Sequence, residues 1–594
     1  MKKTRKLIAL ILTAALILGL AVTGCSKKED SSETADTSKQ TKHDTASGED
    51  GAAEKGSNQG TKSTPDSTAN TTDTSQYSSN VGRDSEAKSE ELPTGFVAES
   101  PEADFGLDKN DEANWKPVNP GTEEYTEFTE AGFQEVTSNP LSTFSIDVDT
   151  ASYSNLRSDI QYGSLPDPQS VRIEEMLNYF NYDYKEPEDG RPFSIHTEIG
   201  KCPWNEENYL LKVGLQGKSV DPEDLPKSNL VFLIDVSGSM DEEDKLPLLK
   251  NAFTQFVEAL GEDDRISIVI YAGETGVVLD SVRGSEKSVI LHAIRSLSAG
   301  GSTAGASGIE LAYSLAEKNF IKGGNNRVIL ATDGDFNVGP SSTEELEDII
   351  TEKKASGIYL SVLGFGTGNI KDNKMELLAD KGNGNYAYID SPREAKKVLV
   401  DEMSGTLLTI AKDVKIQLEF NPYAVASYRL IGYENRALQN EEFRDDTVDA
   451  GELGAGHSVT AIYEVIPGKA SNTGKKNEAL KYQTQEIKPE YKNEITEIRL
   501  RYKEPEEEES QEIRKVVSFT NTPVKSVKYS EDFYFAAAVA EFGMILRNSQ
   551  YRGNASVESV MELAEQGLGE DTGGYRAEFI DLVERYDEYF NYAW

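Results

Sequence analysis

The hydrophobic pattern changes along the chain, and its middle part alternates short apolar runs with segments of helical spacing. Leu230–Ile234 is an uninterrupted apolar run that ends at Asp235, and Ile266–Tyr271 is a second run. Such runs are typical of strands buried on both faces, and their alternation with helices is typical of a mostly parallel sheet with helices on both faces. The pattern therefore predicts an α/β domain over residues 228–410. Further strands are predicted at Arg327–Thr332 and Tyr359–Phe365, and helices at about 249–260, 305–319, 342–355 and 391–410.

Alternation of apolar and polar residues replaces this pattern on both sides of the central domain, as expected for antiparallel sheets with one buried face. It predicts two strands within 193–216 and further strands at Val414–Phe420, Ser458–Val465, Ile495–Tyr502 and Ile513–Phe519. Because the ends of an inserted domain usually lie close together, we expect residues 191–227 and 411–525 to form one β-sandwich-like domain around the α/β domain. Helical patterns at about 531–547, 556–566 and 573–590 predict a C-terminal helical region over 526–594, with Ser530 as its first N-cap.

The segment from 119 to 190 is predicted to flank the β-rich domain. Phe144–Val148 alternates as a half-buried strand, and Val171–Phe180 has helical spacing. Three polar residues of this segment are candidates for a second cation site: Asp147, Asp149 and Ser152. A capped turn is the favoured interpretation, because short polar side chains commonly bond to nearby backbone groups in turns.

The first 118 residues indicate where in the cell the protein is located. A basic start and an apolar stretch from Leu7 to Val22 precede Cys25, and the stretch is shorter than the roughly 20 residues that a spanning helix needs. This arrangement resembles a bacterial lipoprotein signal over residues 1–24, although Val22 stands where that family more often has Leu. The resemblance implies that Cys25 becomes the lipid-modified first residue and anchors the protein at the extracytoplasmic face of the cell membrane. The alternative is an ordinary secretory signal with an incidental cysteine.

Residues 25–118 are predicted to be a disordered polar tether. From Ser26 to Asn80 the chain contains no Leu, Ile, Val, Phe, Met or Trp, so this stretch cannot bury enough apolar surface to offset its chain entropy. If Cys25 is lipidated, Cys202 is the one cysteine left, no disulfide can form within the chain, and Cys202 is expected to be buried as a small apolar residue.

The net charge and three missing motifs narrow the possible partners and activities. The formal net charge is -42, which argues against binding to nucleic acid and against docking on anionic lipid. No nucleotide is expected, because Gly217-Lys218-Ser219 lacks the first glycine of a phosphate-binding loop, position 212 being Lys. The histidines do not occur at metal-ligand spacings, and Gly-x-Ser-x-Gly is absent from the sequence.

Five oxygen-bearing side chains follow predicted strands or precede a predicted helix of the α/β domain: Asp235, Ser237, Ser239, Thr303 and Asp333. Open α/β sheets place ligands at the carboxyl ends of their strands, and carboxylate and hydroxyl oxygens suit a hard cation. This set resembles the metal-ion-dependent adhesion site of von Willebrand factor type A domains. The resemblance implies a Rossmann-like type A domain over 228–410, with Mg²⁺, or alternatively Mn²⁺ or Ca²⁺, held by three hydroxyls and by two aspartates directly or through water. An Asp or Glu carboxylate of a protein partner would complete the site.

The order of segments resembles the bacterial YfbK-like lipoproteins. The similarity rests on the lipobox, the polar tether, the segment Ser142–Asp149, the type A domain and the β region with Asn421-Pro422-Tyr423 and Arg429–Arg436.

The leading hypothesis is a membrane-anchored protein-binding module that is not an enzyme. The alternatives are a carboxylate-based hydrolase in the C-terminal half and a purely structural envelope protein. A subunit of a chelatase-like ATPase machine is a third alternative, which conflicts with the lipobox. The stretch Asp445–Gly454 is interpreted as a loop, with binding of Ca²⁺ as the alternative.

Overall fold

The computed structural model describes residues 124–591, except for ten short gaps. The gaps are 222–223, 274, 302–305, 335–342, 368–370, 403–404, 406–407, 469–488, 506 and 519–527. The predicted signal and tether, with Cys25, and the candidate ligand Thr303 lie outside the described residues.

Strands and helices of the described chain are numbered in chain order. The strands are β1 (Gln134–Glu135), β2 (Leu141–Ser145), β3 (Phe193–Lys201), β4 (Tyr209–Gly217), β5 (Ser228–Asp235), β6 (Arg265–Tyr271), β7 (Thr275–Arg283), β8 (Asn325–Thr332), β9 (Tyr359–Phe365), β10 (Tyr386–Ile389), β11 (Thr409–Phe420), β12 (Val425–Ile431), β13 (Leu453–Gly454), β14 (Ser458–Pro467), β15 (Glu494–Lys503) and β16 (Gln511–Ser518). The helices are α1 (Ala151–Gln161), α2 (Ile173–Asn178), α3 (Leu246–Ala259), α4 (Lys287–Ser296), α5 (Ala306–Lys318), α6 (Thr343–Ala355), α7 (Asp372–Lys381), α8 (Pro392–Lys396), α9 (Glu531–Leu546), α10 (Val557–Gln566) and α11 (Tyr575–Tyr586).

The central domain is a six-stranded sheet in the order β10-β9-β8-β5-β6-β7 with helices on both faces. All neighbouring strands are parallel except β7, which pairs antiparallel with β6 at the edge. Alternate residues of β5 point to opposite faces. Leu230, Phe232 and Ile234 pack with α3, α4 and α8, while Val231 and Leu233 pack with α5, α6 and α7. The predicted α/β architecture is confirmed.

The predicted helix 391–410 is wrong at its end. Helix α8 continues as a π-helical turn over Lys397–Asp401, and strand β11 already begins at Thr409. The alternation of apolar and polar residues that marks β11 begins only at Val414, so the first part of that strand carried no signal of its own.

A two-sheet β-sandwich surrounds the central domain. One sheet has the order β1-β12-β14-β4-β3, and the other has the order β13-β11-β15-β16 with β2 also paired to β11. Strand β4, before the central domain, pairs antiparallel with β14, after it, from Ser458 opposite Gln216 to Val465 opposite Tyr209. The expectation that strands on both sides of the central domain share a sheet is therefore confirmed. Strands β1, β12 and β13 were not predicted, and β13 lies at the end of the stretch Asp445–Gly454 that was interpreted as a loop.

The C-terminal helices form a third core together with α1, α2 and the Trp204 turn. Helix α9 is buried on almost all sides, and the Ser530 hydroxyl caps it by accepting a hydrogen bond from the Phe533 backbone N–H at 3.0 Å, as predicted. Cys202 is buried in this core, also as predicted. Among the described residues, no helix combines the length and the apolar character needed to cross a membrane.

A buried arginine joins three parts of the molecule. Arg157 of α1 lies 2.6 Å from Asp390 Oδ1 and 2.8 Å from Glu394 Oε2, both of the central domain, and 3.0 Å from Glu578 Oε2 of α11. Its side chain is only 1% exposed. Charges removed from water need a partner of opposite sign, so these contacts fix the central domain against its surroundings.

A second arginine, Arg436, forms ion pairs with two aspartates of the N-terminal flanking segment. Its guanidinium lies 3.2 Å from Asp147 and 3.1 Å from Asp149. Asp147 also accepts from the Asp149 backbone N–H, and Asp149 accepts from the Tyr386 backbone N–H. The Ser152 hydroxyl donates to a backbone carbonyl. The structure therefore favours the turn interpretation of this cluster over a second cation site.

We expect Arg157→Met to destabilise the protein by about 3 kcal/mol or more, because the substitution leaves buried carboxylates without their cation. Burial raises the pKa of Asp390, and the Arg157 charge opposes that rise. Without Arg157 the pKa rises further, so the folded variant holds a proton that the unfolded chain releases. The loss of stability should therefore be smaller at mildly acidic than at mildly alkaline pH, as measured by urea unfolding.

Arg191→Met is the matched control, because Arg191 pairs with Asp189 at 3.2 Å on the surface, where its side chain is 51% exposed. This change should cost less than about 1 kcal/mol. An equal, pH-independent loss in both variants would contradict the role given to Arg157.

Candidate metal centre

The candidate site lies where β5 and β8 end. These strands are parallel neighbours, with Ile234 opposite Ala331, so Asp235 and Asp333 follow at the same edge of the sheet. Both aspartates are fully buried. Asp235 is the last residue of β5 and Asp333 directly follows β8, so the parallel strands bring both aspartates to the carboxyl edge of the sheet, where open α/β sheets place ligands.

The turn after β5 gathers the hydroxyls around the first aspartate. The Ser237 backbone N–H donates to Asp235 Oδ1 at 2.8 Å, and the hydroxyl oxygens of Ser237 and Ser239 lie 3.0 Å apart. Ser237 is buried, whereas Ser239 is exposed. The predicted Asp-x-Ser-x-Ser grouping is therefore compact and open on the side of Ser239.

The loop that precedes Thr303 contacts this turn. Gly238 N–H donates to the carbonyl of Gly301 at 3.1 Å, and Gly300 N–H donates to the carbonyl of Val236 at 2.8 Å. Gly301 has φ +91°, a backbone conformation that residues other than glycine rarely adopt. Thr303, two positions further on, lies outside the described residues. The structure thus brings together four of the five predicted ligands, and their binding of a metal stays a prediction.

Burial sets the electrostatics of Asp235. It raises the pKa of this carboxyl to about 6, opposed by hydrogen bonds from Ser237, while the charge of Asp333 raises the pKa as well. Asp235 Oδ2 is buried and receives no well-formed hydrogen bond from the described residues, although the Tyr271 hydroxyl lies beside the carboxyl. A buried carboxylate oxygen with an unfilled lone pair is costly in apolar surroundings, and a bound cation would satisfy it.

A lysine that the sequence interpretation missed also reaches the site. The Lys245 ammonium donates to Asp333 Oδ2 at 3.2 Å and lies 3.5 Å from Glu242 Oε2. Lys245 is only 3% exposed. A lysine just before an apolar helix was the one available signal, and it is weak, because most such lysines point into solvent.

The donor set fits a hard divalent cation. Two carboxylates and two hydroxyls offer oxygen alone, which Mg²⁺, Mn²⁺ and Ca²⁺ prefer and softer metals do not. The unfilled oxygen of Asp235 supports this fit. When bound, such an ion would act as a Lewis acid and as a bridge to an external carboxylate, while Asp235, Ser237, Ser239 and Asp333 would hold it.

A second acidic group combines Asp413 of β11 with two residues of the stretch Asp445–Gly454, for which Ca²⁺ binding was the alternative interpretation. Oxygens of Asp413, Asp449 and Glu452 all lie within 4.8 Å of one another. Asp413 pairs with Lys503 and Asp449 pairs with Lys354, each at 2.7 Å. The two lysines balance two of the three charges, so ion pairs account for much of this group without a metal.

Comparisons with known proteins identify the family of the central domain. A family model described as the von Willebrand factor type A domain matches residues 229–401. A second one, described as von Willebrand factor, matches 119–212, and a third, described as the C-terminal region of the uncharacterised protein YfbK, matches 405–589.

The chain is also similar to individual proteins. It is 45% identical over 480 residues to the uncharacterised protein YfbK of Escherichia coli K12. The matched region covers 79% of this chain and 82% of YfbK. It is 29% identical over 196 residues to the inter-alpha-trypsin inhibitor heavy chain H3 of Bos taurus, a match that covers 31% of this chain and 22% of the heavy chain. A solved von Willebrand factor type A structure from Catenulispora acidiphila matches 66% of this chain and 90% of its own, at 16% identity and a TM-score of 0.37.

Mg²⁺ should raise the thermal midpoint of the wild-type protein, because a ligand that binds only the native state stabilises it by mass action. The gain is about 2.7 kcal/mol at about 100 times the dissociation constant. Asp235→Ala should lose most of this gain, and Asp413→Asn, at the other acidic group, should keep it. Differential scanning calorimetry with and without EDTA measures the effect. Equal Mg²⁺ stabilisation of wild type and Asp235→Ala would contradict the proposed ligand.

Proposed function

The chain belongs to the YfbK family of proteins with a von Willebrand factor type A domain, and from this premise we propose that it is a membrane-anchored lipoprotein whose type A domain binds a protein partner through Mg²⁺. Domains of this type commonly mediate protein–protein binding and often hold a divalent metal at an adhesion site. The proposal extends both properties to Asp235, Ser237, Ser239, Thr303 and Asp333.

The observation that carries the proposal is the half-open arrangement of oxygen donors at the strand ends. Asp235 and Asp333 are buried, so they hold an ion from the protein side, and exposed Ser239 marks the side that solvent reaches. Neutral hydroxyls transfer little charge to a cation. An ion held partly by hydroxyls therefore keeps an affinity for an external anionic oxygen, and the carboxylate of an Asp or Glu side chain is the common protein group of that kind.

The overall charge makes the metal more important for such a partner. At a net charge of -42 the protein repels acidic surfaces at long range. Attraction for a carboxylate must then come from a local positive charge, which a divalent ion supplies. We infer that the partner presents a single acidic side chain within a neutral or basic surface.

The sequence of the amino terminus supports the anchor. A basic start, a short apolar stretch and Cys25 would direct lipid attachment at the extracytoplasmic face of the membrane, and residues 25–118 would tether the type A domain above it. Under this proposal the site acts on partners of the cell envelope rather than on cytoplasmic ones.

Capture of an envelope partner should require both the metal and its ligands. Tagged protein incubated with a cell-envelope extract should retain a partner in Mg²⁺ and lose it in EDTA. Asp235→Ala and Thr303→Ala should lose the same band even in Mg²⁺, while Asp413→Asn should keep it. Mass spectrometry then identifies the partner. If a variant that is folded by circular dichroism still captures it in EDTA, the metal-dependent mechanism is wrong.

Cys25→Ala should remove lipid labelling and move the protein from the membrane to the soluble extracytoplasmic fraction. Metabolic labelling with a fatty-acid analogue and fractionation test this, and Cys202→Ser is the control, because Cys202 is buried in the fold. A Cys25→Ala protein that remains in the membrane fraction without lipid would rule out the lipid anchor.

A further inference from the structure

Lys245 occupies a position that its own helix does not explain. It directly precedes α3, where the unpaired backbone N–H groups carry partial positive charge, so a lysine there is electrostatically unfavourable for the helix. Burial of its side chain, 4% exposed, adds a desolvation cost. A buried cation in such a place needs a specific anionic partner, and Asp333 Oδ2 at 3.2 Å supplies one.

The backbone around Lys245 makes room for this contact. Gly366, just after β9, has φ +74°, and a Cβ at this glycine would come within 2.1 Å of Lys245 Cε. The carbonyl of Gly366 accepts a hydrogen bond from the Tyr388 hydroxyl at 2.8 Å, which fixes the loop. The aliphatic part of Lys245 therefore passes over a glycine, and its ammonium is directed to Asp333.

We propose that Lys245 is a built-in counter-ion of the metal site, which neutralises Asp333 when no metal is bound and lowers the affinity of the site for divalent cations. The inference rests on the proposed function, because it assumes that Asp333 helps to hold the metal. A fixed positive charge in contact with a ligand carboxylate repels a second cation, and burial leaves this repulsion poorly screened.

Glu242 is a second carboxylate partner for the Lys245 ammonium. Its carboxylate lies 3.5 Å from the Lys245 nitrogen, and its side chain is 66% exposed. The lysine is thus positioned between a buried and an exposed carboxylate. Binding of a metal at Asp333 would move the ammonium toward Glu242, so occupancy of the site would change the charge arrangement on the surface beside exposed Ser239.

Isothermal titration of the full-length protein with Mg²⁺ alone tests the inference. Lys245→Met keeps an unbranched side chain of similar length and removes the charge, and it should bind Mg²⁺ about 10 to 100 times more tightly than wild type. Lys245→Arg keeps the charge and should bind within a few-fold of wild type. In EDTA, Lys245→Met should also melt at a lower temperature than wild type, because Asp333 has lost its lysine, and Mg²⁺ should reverse this difference.

Variants of Glu242 test whether this exposed carboxylate is an alternative partner of the Lys245 ammonium. Glu242→Gln should weaken Mg²⁺ binding, and this effect should shrink when Lys245→Met is also present, since the two residues act as a pair. Glu243→Gln removes the same charge one residue away and should show no such dependence on Lys245. Because Glu242 and Glu243 are on the surface, these variants are expected to fold even if Lys245→Met does not.

The outcomes separate the inference from the proposed function. If wild type binds Mg²⁺ and folded Lys245→Met binds it no more tightly, the counter-ion role is wrong while the metal site stands. If Lys245→Met alone binds Mg²⁺, the counter-ion role is supported and the Mg²⁺-dependent function of wild type fails. If neither binds, the function fails, and an unchanged melting temperature of Lys245→Met in EDTA overturns the counter-ion role as well.

Discussion

A buried carboxylate is costly unless a positive charge or hydrogen-bond donors lie beside it, and ion pairs of this kind join several parts of this acidic protein. Arg157 ties α1 and α11 to two acids of the central domain, and Arg436 ties the N-terminal flanking segment to the turn after β12. Lys245 meets the same need at Asp333. The candidate metal centre is one more solution to this problem, since a divalent ion would balance two aspartates that the strand ends bring together.

Hydrophobic pattern was sufficient to predict the core of the central domain and the position of its site. Residues Leu230–Ile234 of β5 form an uninterrupted apolar run because the strand is buried on both faces, and such a run is a clear strand signal. The Asp-x-Ser-x-Ser sequence lies directly after it, so its place at the strand end followed from the strand itself. Other sandwich strands were predicted from alternation of apolar and polar residues, although β4 and β14 are buried on both faces.

The sequence pattern did not predict elements whose apolar residues are few or interrupted by polar ones. Helix α1 buries Asn155 and Arg157 beside its apolar residues, and the partners of these two side chains come from distant parts of the chain, so the buried polar positions obscured its helical pattern. Strand β7 is a half-exposed edge strand and lacks a continuous apolar run. The role of Lys245 depends on Asp333, 88 residues later, and on the glycine that leaves room for its stem. Contacts of this kind are properties of the tertiary fold and leave no local pattern.

The pairing of β4 with β14 also constrains how the chain reaches its native state. Their partners are separated by the whole central domain, so folding of that domain, which brings its two ends together, would favour closure of the sandwich. In the open chain, joining such distant strands carries a large loop-closure entropy, whereas after the central domain has folded the effective loop is short. The inserted domain would then act as the folding template of the domain that encloses it, and a slow or unstable central domain would leave the edges of β4 and β14 exposed to aggregation.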